Sequence, residues 1–188
     1  MYKYPHILFA KDGELHKIAG QRTFVIGGAY SVDKAYRLLH GYGWWPDEQP
    51  SDEIKRRVEE KLEQLHWDVD VVLTHTAPLR YEPVEVFLPG LNQNMVDKST
   101  ERWLGEIEEK LHYEKWYCGH YHTAKKIDKI EFMFDNFGEF PVNDSDYWEN
   151  YNWCYECREN GDDFQLDGNG KLVSRCPACS LKPHGDDN

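Results

Sequence analysis

A short, nearly continuous apolar run constrains the fold more than any other feature of this sequence. Residues 69–74 (VDVVLT) are too few for a stable helix, and such runs are typical of strands buried on both faces of a parallel sheet. The preceding segment predicts an amphipathic helix that begins at the capping residue Ser51. Its apolar positions are four, four and three residues apart: Ile54, Val58, Leu62 and Leu65. We therefore expect an α/β protein.

The rest of the first 140 residues continues this alternation of strands and helices. Apolar segments bounded by turn residues predict further strands at 6–9, 15–18, 22–26 and 115–118, and a hairpin within 126–134. Two more helices are expected at 31–39 and 100–111. The pattern predicts β-sheet flanked by helices, and ligands of such folds gather beyond the carboxyl ends of the strands.

The composition changes near residue 140. The 188 residues have a net charge of −12, and we count ten acidic and four basic residues from position 141 onward, a net of −6 for the last quarter of the chain. Four of the five cysteines also lie there. We therefore divide the chain into residues 1–140, an α/β domain, and residues 141–188, a small tail.

The tail cysteines form two Cys-x-x-Cys pairs at Cys154, Cys157, Cys176 and Cys179, separated by 18 residues. This spacing is typical of tetrahedral zinc, and the Asp-Gly-Asn-Gly turn between the pairs predicts a two-stranded hairpin. The segment resembles a zinc ribbon with a structural zinc ion. Disulfides or redox-active cysteines are the alternatives. Cys118, which stands alone, is expected to be a buried small apolar residue.

Histidines follow two of the predicted strands. His75 follows residues 69–74, and His120 and His122 follow residues 115–118. In an extended backbone His120 and His122 would face the same way, so the three imidazoles could converge on one divalent metal ion. Manganese, iron and zinc are the candidate ions. The alternative is that each histidine is only a polar residue at the mouth of a loop.

Four segments in order resemble the later motifs of calcineurin-like metallophosphoesterases: residues 27–33 (GGAYSVD), 44–48 (WWPDE), 74–78 (THTAP) and 119–122 (GHYH). The resemblance covers roughly residues 3–140. It implies two packed sheets flanked by helices, in an α/β/β/α arrangement, with two metal ions at the ends of strands. It also implies that His75 and His120 bind one ion and that His122 binds the other.

The earlier motifs of that family have no counterpart before His75. These are Asp-x-His, Gly-Asp-x-x-Asp and Gly-Asn-His-Asp/Glu, which supply the bridging aspartate and the other ligands of the first ion. The chain therefore resembles the later half of such a domain. Three imidazoles bring no negative charge to offset the repulsion between two dications. A second polypeptide or another copy of the chain is therefore expected to supply the carboxylates; the alternatives are a truncated gene product and a site that binds at most one metal ion.

These observations favour a hydrolase that cleaves a phosphate monoester or diester with a metal-bound hydroxide. The aromatic loop 41–46 (GYGWWP) is interpreted as a lid or wall beside the metal ions, with Asp33, Arg37 and Trp44 near the phosphorylated substrate. The alternatives are an Asp33–Arg37 salt bridge within one helix and a buried tryptophan that anchors the loop. A catalytic acid is not identifiable from the sequence. The competing hypotheses are a non-catalytic remnant that binds a partner through the ribbon or the aromatic loop, and an incomplete reading frame.

Charge and hydropathy narrow the class of partner. The acidic balance argues against a protein that binds nucleic acid through charge alone. No apolar run approaches the ~20 residues that span a bilayer, and the first ten residues do not resemble a signal peptide. We therefore expect a cytoplasmic protein that does not enter a membrane.

Overall fold

The structure, a computed structural model, describes residues 9–141 and the backbone of residues 164–166 and 172–174. The chain falls into two compact units. One contains Ala10–Leu15 and Arg22–Phe140. The other contains, among the described residues, Phe9, His16–Gln21, Pro141 and two short tail strands.

A six-stranded mixed sheet is the central element. Its strands, numbered along the chain, are β1 (Leu15–Ile18), β2 (Gln21–Ile26), β3 (Val71–Thr74), β4 (Lys115–Cys118), β5 (Lys125–Ile127) and β6 (Ile130–Phe132). They lie in the order β1-β2-β3-β4-β6-β5. The pairs β2–β3, β3–β4 and β4–β6 are parallel, and β5–β6 is antiparallel. The carboxyl ends of β2, β3, β4 and β6 therefore share one edge of the sheet.

Within residues 9–141, three α-helices connect the strands. They are α1 (Lys34–Leu39), α2 (Asp52–Gln64) and α3 (Ser99–Glu108). Helix α2 begins as predicted, because the Ser51 hydroxyl accepts a hydrogen bond from the Ile54 backbone N–H at 3.3 Å. The long segment between β3 and α3 forms three short 3-10 turns, Leu79–Tyr81, Val84–Val86 and Gln93–Met95.

Helices α2 and α3 cover one face of the sheet. Val58 and Leu62 of α2 and Leu104 and Ile107 of α3 are at most 1 % exposed and belong to one apolar core. That core includes alternate residues of four parallel strands, among them Phe24, Val72, Trp116 and Phe132. Val71 points to the other face and is also fully buried. The prediction of an α/β protein with a strand buried on both faces is confirmed.

The tail contains an antiparallel hairpin of β7 (Phe164–Leu166) and β8 (Leu172–Ser174). This is the hairpin that the turn sequence predicts. The four tail cysteines lie outside the described residues, and so do residues 6–8 of the first predicted strand. The zinc ribbon and the packed pair of sheets remain predictions.

Among the described residues, none of the helices is both long enough and apolar enough to cross a membrane.

Candidate functional site at the carboxyl edge of the sheet

Two loops that carry histidines meet where β3 and β4 end. β3 ends at Thr74 and β4 ends at Cys118, and the two strands are parallel neighbours. The Gly119 backbone N–H donates a hydrogen bond to the His75 carbonyl oxygen at 2.9 Å. The two loops are therefore joined at the first residue beyond each strand, which positions the side chains that follow.

His75 and His120 form a contacting pair. The Nδ1 atom of His120 lies 3.3 Å from the Nε2 atom of His75, and the ring centroids are 5.1 Å apart. Each ring presents one nitrogen to the other, so in the neutral forms one nitrogen donates a hydrogen bond and the other accepts it. The strand-end positions thus bring together two of the three predicted metal ligands.

The environment of this pair favours neutral imidazoles. Burial, together with the neighbouring His75 and His122, lowers the pKa of His120 to about 4, although Glu48 opposes the shift. The pKa of His75 is also below its ordinary value, because surrounding protein atoms and His122 disfavour its charged form. A neutral imidazole has one unprotonated nitrogen, and this is the form that binds a metal ion.

His122 does not join the pair as the sequence pattern predicts. The strand ends at Cys118, and both His120 and His122 have left-handed backbone conformations, with φ of 67° and 51°. The rule that alternate residues face the same way holds only for extended backbone. The His122 ring stacks instead on Phe134, with centroids 5.0 Å apart.

The described residues therefore offer a pair of ligands and not a complete metal cage. Among them, no group of three or more His, Cys, Asp or Glu side chains is arranged to hold a metal ion. Two imidazoles suit one ion with open coordination positions, and they do not provide the bridging carboxylate that two neighbouring ions need.

Glu48 brings a negative charge to the neighbourhood of His120. Its carboxylate accepts a hydrogen bond from the Ser31 backbone N–H at 3.1 Å, and its own carbonyl oxygen accepts one from Ala29 at 3.0 Å. Although burial opposes ionisation, hydrogen bonds from Ser31 and the charge of Lys34 keep the pKa of Glu48 below its ordinary value. The sequence analysis quoted Glu48 within a motif but did not identify it as a site residue.

The three candidates for the substrate side have mainly local contacts. Arg37 Nε lies 2.8 Å from Asp33 Oδ2, one helical turn away, so the structure contains the intrahelical salt bridge. The Lys34 ammonium lies 4.0 Å from the centre of the Trp44 ring, which is half-buried, while the neighbouring Trp45 is 67 % exposed. These contacts leave a role for Asp33, Arg37 and Trp44 in substrate binding as a prediction.

A buried polar network beneath the histidine loops was not predicted. Thr76, fully buried, donates a hydrogen bond to Glu101 Oε1 at 2.8 Å, and the Tyr121 hydroxyl lies 3.1 Å from the Thr76 hydroxyl. Glu101 is only 3 % exposed, and burial raises its pKa above the ordinary value. The sequence analysis did not single out Glu101, because an acidic residue in the first turn of a helix is commonly solvated.

Cys118 behaves as predicted. Its side chain is free and 2 % exposed, and burial raises the pKa of its thiol to about 12. A thiol of this kind is inert at neutral pH and serves as a small apolar residue of the core.

Comparison with protein-family models, curated proteins and solved structures finds no match to this chain.

Proposed function

We propose that this chain is a metal-dependent phosphoesterase module whose histidine pair, His75 and His120, binds one divalent ion. The observation that carries the proposal is the 3.3 Å separation of His75 Nε2 and His120 Nδ1. Two imidazole nitrogens bound to one tetrahedral ion at ~2.0–2.1 Å lie about 3.3–3.4 Å apart. The pair is therefore already spaced for a shared ion.

The protonation state of the pair supports the same conclusion. With the pKa of His120 at about 4 and that of His75 also lowered, a metal ion does not have to displace a proton from an imidazolium at neutral pH. The hydrogen bond between Gly119 and His75 fixes the two loops, so little ordering of the backbone is needed when an ion binds.

A divalent ion held there would polarise a phosphoryl oxygen and lower the pKa of a bound water. Glu48 lies near enough to His120 to influence its pKa and stays ionised. It can therefore stabilise the positive charge of an ion bound to His120. The stacking of His122 on Phe134 engages the face of its ring, and His122 is the candidate ligand of a second ion. Carboxylates for such an ion would come from a second polypeptide or another copy of the chain.

Cobalt binding tests the histidine pair. We would titrate the full-length protein and the variants His75→Ala and His120→Ala with Co²⁺ and follow the visible absorption of the bound ion. The tail cysteines are the same in all three proteins, so the difference between them isolates the histidine site. Each variant is expected to bind Co²⁺ at the histidine site about tenfold or more weakly than the native protein, because one of two imidazole ligands is lost.

His112→Ala is the matched control. His112 is exposed and precedes β4, at the opposite end of that strand from His120. Its replacement should leave Co²⁺ binding unchanged. Equal binding by the native protein and by both site variants would overturn the proposed metal site.

Hydrolysis is measured separately, with 4-nitrophenyl phosphate and bis(4-nitrophenyl) phosphate in the presence of Mn²⁺. Turnover that is lost in His75→Ala supports the phosphoesterase. Metal binding without turnover of either ester would favour the alternative, a non-catalytic module that binds a partner. Zinc analysis of the purified protein tests the proposed structural site at Cys154, Cys157, Cys176 and Cys179.

A further inference from the structure

A cavity of about 290 Å³ lies within the unit that contains Arg22–Phe140. Most of its wall is apolar and includes Val32, Val86, Phe87, Leu88, Leu91 and Val96. Its polar lining residues include Glu82, Lys98, Glu101, His120 and His122. Known ligand pockets start at ~300 Å³ and combine a mostly apolar wall with a few polar groups. The volume therefore suits a small molecule.

The Glu101 carboxyl group is incompletely satisfied in this wall. Its Oε1 atom accepts the hydrogen bond from Thr76 at 2.8 Å. Its Oε2 atom is buried and has no hydrogen-bond partner within the described part of the chain. A buried polar atom without a partner costs roughly 1–3 kcal/mol in general, and native structures hold few of them. A ligand that donates a hydrogen bond to this oxygen would remove that cost.

The charges around Glu101 favour a positively charged donor. The nearby Lys98 ammonium lies 2.7 Å from a Glu82 carboxylate oxygen, and both side chains are largely buried, so its charge is already paired. The cavity wall thus contains two carboxyl groups and one ammonium group. An anion would be repelled from this wall, whereas a cation would stabilise the ionised form of Glu101, which burial disfavours in the free protein.

Aromatic side chains provide contact area for the apolar body of such a cation. Phe87 stacks on Tyr121, with ring centroids 6.0 Å apart, and both residues line the cavity. The Lys98 ammonium already lies 4.9 Å from the centre of the Phe87 ring, so Phe87 contributes apolar contact area and not a free cation-binding face. Leu91 and Val96 extend this area along the cavity wall.

We propose that this cavity binds a small organic cation, a primary ammonium on a short apolar body, with the ammonium group donating to Glu101 Oε2. The apolar body would contact Phe87, Leu91 and Val96. The cavity adjoins the proposed metal site, because His120 lines it, but the contacts that recognise the ammonium and the apolar body do not include His75 or His120.

The test measures binding of 2-phenylethylamine to the full-length, chelator-treated protein by isothermal titration calorimetry. Two compounds of similar size serve as comparisons: 2-phenylethanol, which is neutral, and 3-phenylpropanoate, which is negatively charged. The amine is expected to bind about tenfold or more tightly than the alcohol, because a charge-assisted hydrogen bond is stronger than a neutral one. The carboxylate should show no binding.

Glu101→Gln should weaken binding of the amine about tenfold or more and remove its advantage over the alcohol. Glu106→Gln is the matched control, since Glu106 lies on the same helix and is exposed. Leu91→Trp, in a surface segment, should block the cavity while leaving Glu101 intact. Thermal unfolding of each variant shows whether it is folded.

Three results would overturn the proposal: equal binding of the amine and the alcohol by the native protein, unchanged binding in Glu101→Gln, or unchanged binding in Leu91→Trp. If Glu101→Gln does not fold, two tests of the proposal remain. One compares the amine with the alcohol on the native protein, and the other measures binding of the amine to Leu91→Trp. Loss of metal binding in His75→Ala would leave these results unaffected, so the two proposals fail separately.

Discussion

The Gly119 backbone N–H donates to the carbonyl oxygen of His75 at 2.9 Å, and this bond ties the loop after β3 to the loop after β4. It is a backbone bond, so it does not depend on the side chain at position 119. An added Cβ at Gly119 would lie 3.6 Å from the Met133 carbonyl oxygen and 3.8 Å from that of His75, which is ordinary contact. The geometry of the histidine pair therefore does not require glycine there.

Gly28 is different, and Gly28→Ala should destabilise the protein by about 2–4 kcal/mol. Gly28 has a φ of +87°, and an added Cβ would lie 2.8 Å from the Glu48 carbonyl oxygen and from a Pro50 ring carbon. Left-handed strain and backbone overlap add in this position. The free energy of unfolding from urea titration measures the effect.

Gly119→Ala is the control for that experiment. Because it has room for a methyl group, the substitution should change the free energy of unfolding by less than about 1 kcal/mol. Similar losses of stability in Gly28→Ala and Gly119→Ala would contradict the backbone conformations at these two glycines.

The stability of the protein should fall as the pH drops from about 6.5 toward 4. The pKa of His120 is lowered from 6.5 to about 4 in the folded protein, so the unfolded chain binds more protons in this range. The loss from His120 should be at most about 3 kcal/mol. Urea unfolding at a series of pH values measures it, and NMR of the imidazole protons follows the titration directly.

His120→Asn should reduce that pH dependence without straining the loop, because asparagine tolerates the left-handed conformation found at His120. A smaller pH dependence should remain, since the pKa of His75 is lowered as well. An unchanged slope in the variant, or an imidazole that titrates near 6.5, would contradict this prediction.

Arg37→Ala should change the free energy of unfolding by less than about 0.5 kcal/mol. The Asp33–Arg37 pair is well formed at 2.8 Å, but both side chains are more than 40 % exposed, and such pairs contribute little. A double-mutant cycle with Asp33→Ala measures the coupling. Arg56→Ala, which breaks a longer exposed pair with Glu60 in α2, is the control. A loss of phosphoesterase turnover in Arg37→Ala alone would support its proposed role beside the substrate.

The thiols should react in two classes. Cys118 is buried and its pKa is raised to about 12, so it should stay unreactive toward a thiol reagent until the protein unfolds. The tail cysteines should become reactive when a chelator removes the proposed zinc ion, with release of about one equivalent of zinc. In the folded state Cys118→Ala and the native protein should have the same number of reactive thiols, and after unfolding the variant should have one fewer. Free reaction of the tail thiols before chelation would contradict the zinc site.

The main strands and helices of residues 9–141 could be predicted because their signals are local. Ser51 and the apolar positions that follow it predicted α2, and the apolar run ending at Thr74 predicted β3. The parallel arrangement then follows from the alternation of strands and helices, and it brings His75 and His120 to the same edge. The contact between these two histidines could thus be predicted from the sequence.

What could not be predicted depends on conformation and burial at single residues. The left-handed backbone of His120 and His122 is not visible in a pattern of residue types, and it turns His122 toward Phe134. Glu101 looks like a solvated residue of a helix start until Thr76 is packed against it. Both surprises lie beside the histidine pair.

The parallel sheet also bears on how this protein reaches its folded state. His75 and His120 are 45 residues apart along the chain, and the Thr74–Trp116 hydrogen bond that lies beneath them spans 42 residues. Closing such loops costs entropy before any contact is gained, so sheets of this topology form slowly. The histidine pair can assemble only after β3 and β4 have paired. A spectroscopic signal from an ion bound to it would therefore report the pairing of β3 and β4, and it would lag behind the local formation of helix α2.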